Sequence, residues 1–344
     1  MSLYYSRAPA RIDFGGGGSD APPFSSDFGG LVVNAAIRRY VHAELRADTA
    51  NTGIRIVSHE MVEDVVLPSV DAIEEDGRLD LVKLIVKELN PDFGFELILD
   101  ADLPPGCGLS SSAAVGAATA AVVAEAMGLE MSQLQIFRLS VKVEREILGW
   151  PGGSQDQYAA AIGGFNVIEF DGLEAGGRRL SIPDRLVWEL EKNLVLCHTG
   201  AAHLSGSIHT DIRAAYADPD SPCRRAMHEL KRIGGEVRDA LEGSDLDGFA
   251  ELMNENWRYH RDLHDSCNSA RLEEFYDIVK KCGAPSAKTC GAGGGGCIVV
   301  YHPGAGRRDM MEEFKAAGGM IMDVSFDHDG VVAWPAMSDD SKLD

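Results

Sequence analysis

The chain has 344 residues, 45% of them hydrophobic and 25% charged, which is typical of a soluble globular protein and long enough for two domains of roughly 150 residues each. It contains 54 acidic residues against 32 lysines and arginines, so its formal net charge is −22. Such an acidic surface repels nucleic acids and anionic membranes, which excludes both as partners. An anionic substrate would have to be held locally, by helix N-termini, a few basic side chains or a metal ion.

The seven cysteines are an odd number without a Cys-x-x-Cys pair, which argues against a disulfide framework or a zinc site and favours a reducing compartment. The N-terminal residues lack the basic and long apolar regions of a signal peptide, and no apolar run is long enough to span a bilayer. We therefore expect a cytoplasmic protein. The sequence leaves its oligomeric state open, a homodimer included.

Apolar periodicity and turn residues predict a mixture of strands and helices, of class α/β or α+β. We expect strands over residues 31–45 (as one strand or two), 95–99, 163–170 and 297–301. We expect helices over residues 110–127, 133–148, 222–241, 245–264, 270–282 and 307–317. A polar, glycine-rich stretch at 171–179 is the predicted boundary between a first domain, residues 1–175, and a second, residues 176–344.

The first segment with a chemical signature is a strand-like run, residues 7–14, that ends in four glycines and is followed by Ser19 and Asp20. Glycine costs backbone entropy, so four together indicate backbone lying close to a ligand or to another chain segment. Asp20 would then be placed to accept hydrogen bonds from hydroxyl groups.

The second segment, residues 104–114, is a turn of small residues that leads directly into a predicted helix. The first amides of a helix have no intrahelical partners, and with flanking glycines they form an anion site suited to phosphate. An ordinary serine-capped helix is the alternative, and these residues alone do not decide between the two.

The third segment, residues 144–157, carries Glu144 near a predicted helix end and Asp156 just after a Pro-Gly-Gly loop. The two carboxylates could face one site, one binding a metal ion and one near a reacting hydroxyl, or they could simply be two solvated acids. The glycines at 291–296 fit G-x-G-x-x-G, but they precede a predicted strand, which argues against a dinucleotide site.

Together, residues 9–20, 104–114 and 288–297 resemble, in order and spacing, the three motifs of the GHMP kinase superfamily, which includes galactokinase and the homoserine, mevalonate and phosphomevalonate kinases. The resemblance covers essentially the whole chain. It implies a two-domain α+β fold, with an N-terminal α/β domain like that of a small-subunit ribosomal protein and a C-terminal ferredoxin-like domain. It also implies ATP- and Mg²⁺-dependent phosphorylation of a small molecule.

The resemblance also implies a role for individual residues, with the third motif buttressing the other two. The residues implied to bind ATP are Pro105, Gly106, Cys107, Gly108, Leu109, Ser110, Ser111 and Ser112. The implied Mg²⁺ ligands are Ser112 and Glu144, and the implied catalytic residues are Asp156 and Arg11. The implied substrate-binding residues are Asp20, Gly17, Gly18 and Gly153.

One departure from the galactokinase pattern points to the substrate. Galactokinases carry Glu-His where this chain has Gly17 and Gly18, so we expect a roomier pocket. The form Gly-Gly-Gly-Ser-Asp followed by Ala-Pro-Pro-Phe resembles the D-glycero-D-manno-heptose 7-phosphate kinase branch, and fucokinase domains look similar. The expected substrate is therefore a sugar or sugar phosphate; the alternatives are a fucokinase- or galactokinase-type free-sugar kinase, a GHMP-fold diphosphate decarboxylase and a non-catalytic binding module.

Two further predictions concern basic residues. Arg38 or Arg39 is the candidate for holding a substrate phosphate, although surface ion pairing is the default for such residues. His260 and His264, four residues apart on a predicted helix, indicate a solvated helix face more readily than a metal site, because no third ligand is evident.

Overall fold

A computed structural model describes residues 2–104, 106–201 and 205–337. Its strands in chain order are β1 (Ser2–Gly15), β2 (Gly30–Asp48), β3 (Ile54–Ser58), β4 (Glu63–Leu67), β5 (Gly94–Ala101), β6 (Phe165–Asp171), β7 (Glu174–Arg179), β8 (Leu194–His198), β9 (Ser286–Thr289), β10 (Cys297–Tyr301), β11 (Met320–Met322) and β12 (Val332–Pro335). Its helices are α1 (Phe24–Phe28), α2 (Asp80–Leu89), α3 (Ser111–Ala126), α4 (Gln133–Val141), α5 (Gln155–Ile162), α6 (Asp184–Asn193), α7 (Ser205–Ala217), α8 (Pro222–Glu242), α9 (Leu246–Arg261), α10 (Ala270–Lys281) and α11 (Arg307–Ala316).

These strands form two sheets. The larger runs in the order β12-β1-β2-β5-β3-β4, with β6 paired to β2 and β7 paired to β6; β3 and β5 are parallel and the other pairs are antiparallel. The smaller sheet has the antiparallel order β11-β8-β10-β9. Sheets and helices in one chain agree with the expected α+β class.

Most predicted elements are confirmed within a few residues, and the segment expected at 31–45 is one strand, β2. The helix expected over 133–148 is α4 followed by a π-helical turn, Lys142–Ile147. The polar, glycine-rich stretch at 171–179, where the domain boundary is predicted, contains β7, an exposed edge strand whose residues lack the apolar alternation of a half-buried strand. The division at residue 175 stays a prediction; that point falls inside β7, and β12 pairs with β1 in the larger sheet.

Helix α3 is the central helix behind the larger sheet and packs against β1 and β2. It is rich in alanine, the best helix former, and is buried on almost all sides, with residues from Ala113 to Ala124 in the core. Small side chains let this helix lie close to the sheet, which fixes the position of its N-terminus.

Strand β1 places two charged residues on one of its faces, because successive side chains of a strand point to opposite faces. Ile12 and Phe14 point into an apolar core that includes Phe165, while Arg11 and Asp13 share the opposite face of the strand. Register shifts occur in the β1–β2 ladder after Pro9 and after Asp13, and such irregularities re-aim the side chains around them.

The second half of the chain packs long helices against the strand ends of both sheets. Helix α8 contacts β1 and β2, and α9 contacts β9 and β1. Within the described ranges no helix is both long and apolar enough to cross a bilayer.

Candidate active site

An ion pair between Arg11 on β1 and Asp156 in the first turn of α5 lies at the centre of the candidate site. The guanidinium donates from Nε to Oδ1 of Asp156 at 2.8 Å, its Nη2 lies 2.7 Å from the same oxygen, and its Nη1 donates to the carbonyl oxygen of Gly108 at 2.8 Å. Burial works to lower the pKa of Arg11, but the carboxylates of Asp156 and Asp13 outweigh it and raise this pKa above its ordinary value. Both contacts use Oδ1, so Oδ2 of the 26%-exposed Asp156 has no partner in the described part of the chain.

Asp20 lies beside this pair and is almost fully buried, with 3% of its surface exposed. Its Oδ1 accepts hydrogen bonds from the N–H of Gly18 at 3.1 Å and from the side chain of Gln155 at 3.3 Å, and its Oδ2 accepts one from the N–H of Gln155 at 3.3 Å. A Cβ on Gly153 would lie 1.9 Å from Oδ2, so only glycine fits at that position. Burial, and then the negative charge of Asp156, raise the pKa of Asp20 to about 6.

A buried ion pair between the first and third motifs, which the sequence analysis does not predict, lies against the glycine loop, residues 15–18. Nζ of Lys288, on β9, lies 2.6 Å from Oδ2 of Asp13 and donates to the carbonyl oxygen of Asp13 at 2.8 Å. Burial works to raise the pKa of Asp13, but Lys288 and then Arg11 outweigh it and hold this pKa below its ordinary value. A Cβ on Gly17 would come 2.7 Å from this carboxylate. Gly17 therefore makes room for Asp13, and the expected roomier substrate pocket stays a prediction.

The loop that leads into α3 is described over residues 106–110, and Pro105, part of the same predicted ATP site, lies outside the described residues. Carbonyl oxygens of Gly108 and Leu109 accept hydrogen bonds from the side chain and the N–H of Arg11, at 2.8 and 3.2 Å. Ser110 has a left-handed φ of 69° and its hydroxyl does not cap the helix, so the alternative of an ordinary serine-capped helix is wrong. The first amides of α3 are thereby left for an anion.

The third glycine-rich segment packs directly on this loop. The N–H of Cys297 donates to the carbonyl oxygen of Cys107 at 2.9 Å, and a Cβ on Gly291 would lie 2.8 Å from the carbonyl oxygen of Gly108. These glycines are therefore needed for contact between two backbones. This contact is the buttress that the family resemblance implied.

Glu144 lies in the π-helical turn next to the N-terminus of α3, and such turns occur frequently at functional sites. Its Oε1 accepts a hydrogen bond from the exposed hydroxyl of Ser112 at 3.2 Å, and its Oε2 accepts one from the side chain of Gln157. The hydroxyl of Ser110 is buried and has no partner among the described residues. A carboxylate and a hydroxyl beside free helix amides are the donor set that Mg²⁺ and a polyphosphate require, so the residues present fit both.

A cavity of about 180 Å³ opens next to Asp20. Residues 21–23, the loop at 149–152 and side chains of α7 and α8 form its walls, and its basic residues are Arg145, His209 and Arg213. Burial, and then the charge of Arg145, lower the pKa of His209 to about 4. Sequence reasoning missed His209 and Arg213, because each is an isolated basic residue on a helix without a motif.

The four basic residues that the sequence analysis singled out, Arg38, Arg39, His260 and His264, do not line this cavity. Arg38 and Arg39 donate to backbone carbonyl oxygens between β11 and β12, at 3.1 and 3.4 Å, and do not line the cavity. His260 is buried, and its Nε2 lies 3.1 Å from the carbonyl oxygen of Ala292, so the prediction of a solvated helix face is wrong for it. The reason is that α9 packs its His260 side towards the glycine-rich segment; His264, whose side chain is 39% exposed, does face solvent.

Comparisons with known proteins agree with this fold. The family profiles described as "GHMP kinases N terminal domain" and "GHMP kinases C terminal" match residues 79–164 and 237–316. A D-glycero-alpha-D-manno-heptose 7-phosphate kinase from Campylobacter jejuni is 29% identical over 340 residues, covering 97% of this chain and 99% of that protein. A bifunctional fucokinase/GDP-fucose pyrophosphorylase from Arabidopsis thaliana is 28% identical over 310 residues, which are 85% of this chain and 29% of that protein.

Among solved structures, a D-glycero-D-manno-heptose 1-phosphate kinase from Bacteroides thetaiotaomicron superimposes with a TM-score of 0.80 and 27% identity, over 97% of this chain and 100% of that one. The fold and the site thus define a small-molecule kinase. In sequence and in fold the chain is similar to the GHMP kinases over nearly its whole length.

Proposed function

We propose that the protein transfers the γ-phosphoryl group of ATP to the anomeric hydroxyl of D-glycero-D-manno-heptose 7-phosphate. The observation that carries the proposal is the carboxylate of Asp156, which lies near the buried Asp20; Arg11 holds one of its oxygens, and the other has no partner among the described residues. A free carboxylate oxygen can accept or orient the proton of an attacking hydroxyl. In phosphoryl transfer, the protein contributes mainly by positioning the reacting groups and by neutralising charge.

The choice of sugar phosphate rests on the relatives and on the glycine loop. The Campylobacter and Bacteroides relatives are named for heptose phosphates and match almost the full length of this chain. Asp20 follows the Gly-Gly-Gly-Ser form of the first motif, and its two oxygens can accept hydrogen bonds from sugar hydroxyls. Substrate binding by Gly17, Gly18 and Gly153 is indirect in this proposal, because these glycines make room for Asp13 and Asp20 or donate to Asp20.

ATP and Mg²⁺ are part of the proposal because the residues before α3 fit them. The amides and hydroxyls of residues 106–112 would hold the phosphates, and Ser112 with Glu144 would hold the metal. No group of three or more acidic, histidine or cysteine side chains surrounds a metal position within the described residues, which suits Mg²⁺, since this ion commonly takes one or two carboxylates together with phosphate and water ligands. ATP supplies the phosphoryl group, and Mg²⁺ offsets its charge.

A coupled assay of ATP consumption across a sugar panel tests the substrate. We expect kcat/KM for heptose 7-phosphate to exceed that for free mannose, fucose and galactose by about tenfold or more, because a charge-assisted phosphate contact contributes about 1.5–3 kcal/mol. Phosphorus NMR of the product would identify an anomeric phosphate. A free hexose or fucose as the best substrate would overturn the sugar-phosphate assignment and favour the fucokinase type, to which the Arabidopsis relative points.

The same panel separates the remaining rival activities. Release of carbon dioxide from mevalonate diphosphate would favour a decarboxylase, and binding of ATP without any turnover would favour a non-catalytic module. A cytoplasmic location and a homodimer stay predictions of the proposal.

A further inference from the structure

The cavity beside Asp20 is positively charged in a strongly acidic protein. The chain has 54 acidic residues among 344, yet none of the described residues that line this cavity is Asp or Glu. Its charged or ionisable lining residues are Arg145, His209 and Arg213, and the remainder are apolar, aromatic or glycine. Both arginines line the same cavity, so an anion bound there would be attracted by two guanidinium groups.

Arg145 is a rigidly held wall of this cavity. Its Nε donates to the carbonyl oxygen of Gly153 at 2.9 Å, and its Nη1 donates to the carbonyl oxygen of Trp150 at 3.4 Å and lies 3.2 Å from Oε1 of Glu144. Its side chain is only 9% exposed. Nη2 has no acceptor among the described residues, so this arginine keeps one donor group for a ligand.

Arg213, on α7, lines the same cavity. It is exposed and has neither an ion-pair nor a hydrogen-bond partner in the described part of the chain. By contrast, Arg232 on the neighbouring α8 contacts three glutamates at 2.6–2.8 Å. An arginine without a partner at a cavity mouth is available to an anionic ligand.

The cavity adjoins the hydroxyl-binding end of the site. Ala21, in its wall, directly follows Asp20, and Gly152, also in its wall, precedes the glycine that packs on the Asp20 carboxylate. A sugar whose reacting end lies at Asp20 and Asp156 would extend its other end towards this space.

We propose that this cavity binds the phosphate group carried by the sugar substrate, with Arg213 and Arg145 as its ligands and Arg213 as a residue that determines specificity for phosphorylated over free sugars. This inference rests on the proposed function for the identity of the sugar. It replaces Arg38 and Arg39 as the predicted phosphate ligands, since neither lines the cavity.

Titration calorimetry without ATP, on the full chain, tests the inference independently of turnover. The probes are heptose 7-phosphate, the same heptose without its phosphate, and mannose 6-phosphate. We expect Arg213→Ala to weaken binding of heptose 7-phosphate by about tenfold or more, to leave binding of the free heptose unchanged, and Arg213→Lys to restore part of the loss. Arg225→Ala removes the same charge from an exposed position of α8 outside the cavity and should leave both sugars unaffected.

Steady-state kinetics give the second readout. Arg213→Ala should raise KM for heptose 7-phosphate by a similar factor with a much smaller change in kcat, because the residue lies away from the reacting end. Arg145→Lys should affect both sugars, since Arg145 also supports Glu144 and the loop before α5.

The outcomes separate this inference from the proposed function. An equal effect of Arg213→Ala on both sugars, or none on either, would overturn the phosphate site even if heptose 7-phosphate is a good substrate. Arg213-dependent binding of mannose 6-phosphate with no turnover of heptose 7-phosphate would overturn the proposed substrate and keep the phosphate site. Failure of the wild type to bind any of the sugar phosphates would also overturn the site.

Discussion

The two oxygens of Asp156 have different environments, and this difference yields a prediction. Arg11 contacts only Oδ1, so Asp156→Asn retains an oxygen for Arg11 and replaces the free Oδ2 with an amide that cannot accept a proton. We expect kcat to fall by a factor on the order of 10² or more, while KM for ATP changes little. Steady-state kinetics with the best sugar of the panel measure both. Asp184→Asn, in the exposed first turn of α6, is the matched control, and near-wild-type kcat in Asp156→Asn would remove this residue from the mechanism.

Asp20 is predicted to lower the stability of the folded protein at neutral pH. Its pKa is about 6 in the folded protein against 3.8 for the ordinary group, so between these values the folded state binds a proton that the unfolded state does not. Stability therefore falls as pH rises through this window, by about 3 kcal/mol at one pKa unit per 1.36 kcal/mol. A carboxylate kept buried at this cost is consistent with a group reserved for a ligand.

Asp20→Asn makes this cost measurable. The unfolding free energy of the variant minus that of the wild type should increase by about 3 kcal/mol between pH 3.5 and pH 6.5, since the amide does not titrate. The lost hydrogen bond from the N–H of Gln155 shifts the difference by a constant and leaves its slope intact. Urea denaturation across this range provides the values, with Asp184→Asn as the control. A difference that does not change with pH would mean that Asp20 is solvated as an ordinary carboxylate.

For individual residues, the sequence predicts which side chains form the candidate site better than it predicts the contacts around them. Arg11, Asp20 and Asp156 belong to segments with recognisable spacing, and the structure brings all three together. Lys288 and His209 reach the site through contacts between residues far apart in the chain, and a single sequence carries no signal of such contacts. For the same reason Gly17 was expected to face a ligand, although its neighbour is Asp13.

Adjacent glycines in helix α8 give a prediction at the scale of an element. A Cβ on Gly234 would lie 2.6 Å from the carbonyl oxygen of Leu31 and 3.3 Å from Cα of Gly16, whereas a Cβ on Gly235 would meet nothing within 4 Å. Gly234→Ala should therefore destabilise the protein by about 1–3 kcal/mol, through overpacking. Gly235→Ala should stabilise it by about 0.5–1 kcal/mol, because alanine is the better helix former.

Chemical denaturation gives the unfolding free energy of both variants, which carry the same substitution at adjacent positions of one helix. Gly234→Ala should also raise KM for the sugar, because it displaces the glycine loop that carries Asp20, while Gly235→Ala should leave KM unchanged. Equal stability of the two variants would mean that α8 does not pack closely on this loop.

Elements with regular apolar periodicity were predictable, and those lacking it were not. Helices α8 and α10 have clear apolar faces and start at serine N-caps, and their observed bounds lie within one residue of the prediction. Strand β7 is nearly all exposed, and the prediction missed it because only its pairing with β6 makes it a strand. The π-helical turn that carries Glu144 likewise departs from the 3.6-residue period on which helix prediction depends.

On the scale of the whole molecule, the sequence order of the strands differs from their order in space. β12 is the last strand of the chain and pairs with β1, the first. β9 and β1 belong to different sheets, yet Lys288 and Asp13 form a buried ion pair between them. Composition and charge predict none of these long-range pairings, since they depend on closure of chain segments hundreds of residues long.

Because it joins strands of both sheets, the Lys288–Asp13 ion pair is expected to contribute to the unfolding free energy of the protein. Both side chains are almost fully buried, at 0% and 3% exposure. Lys288→Met leaves the Asp13 carboxylate buried without its main partner, and we expect a loss of about 3–5 kcal/mol in unfolding free energy, towards the lower end because Arg11 still faces Asp13. In the wild type, the stabilisation from ionised Asp13 is present above its ordinary pKa and is lost as pH falls through its lowered pKa. The effect of Lys288→Met should consequently be largest near pH 7 and shrink in acid, where Asp13 protonates in the variant.

Denaturation at neutral and acidic pH measures the size and the pH dependence of this loss. Lys281→Met, which breaks the exposed pair with Glu313, is the matched control and should change stability by no more than about 1 kcal/mol. The double variant Lys288→Met with Asp13→Asn should recover part of the loss, because it removes the unpaired charge that causes it. If Lys288→Met costs no more than Lys281→Met, the buried pair contributes nothing to the contact between the sheets, and the position of the glycine loop must depend on α8 and α9 instead.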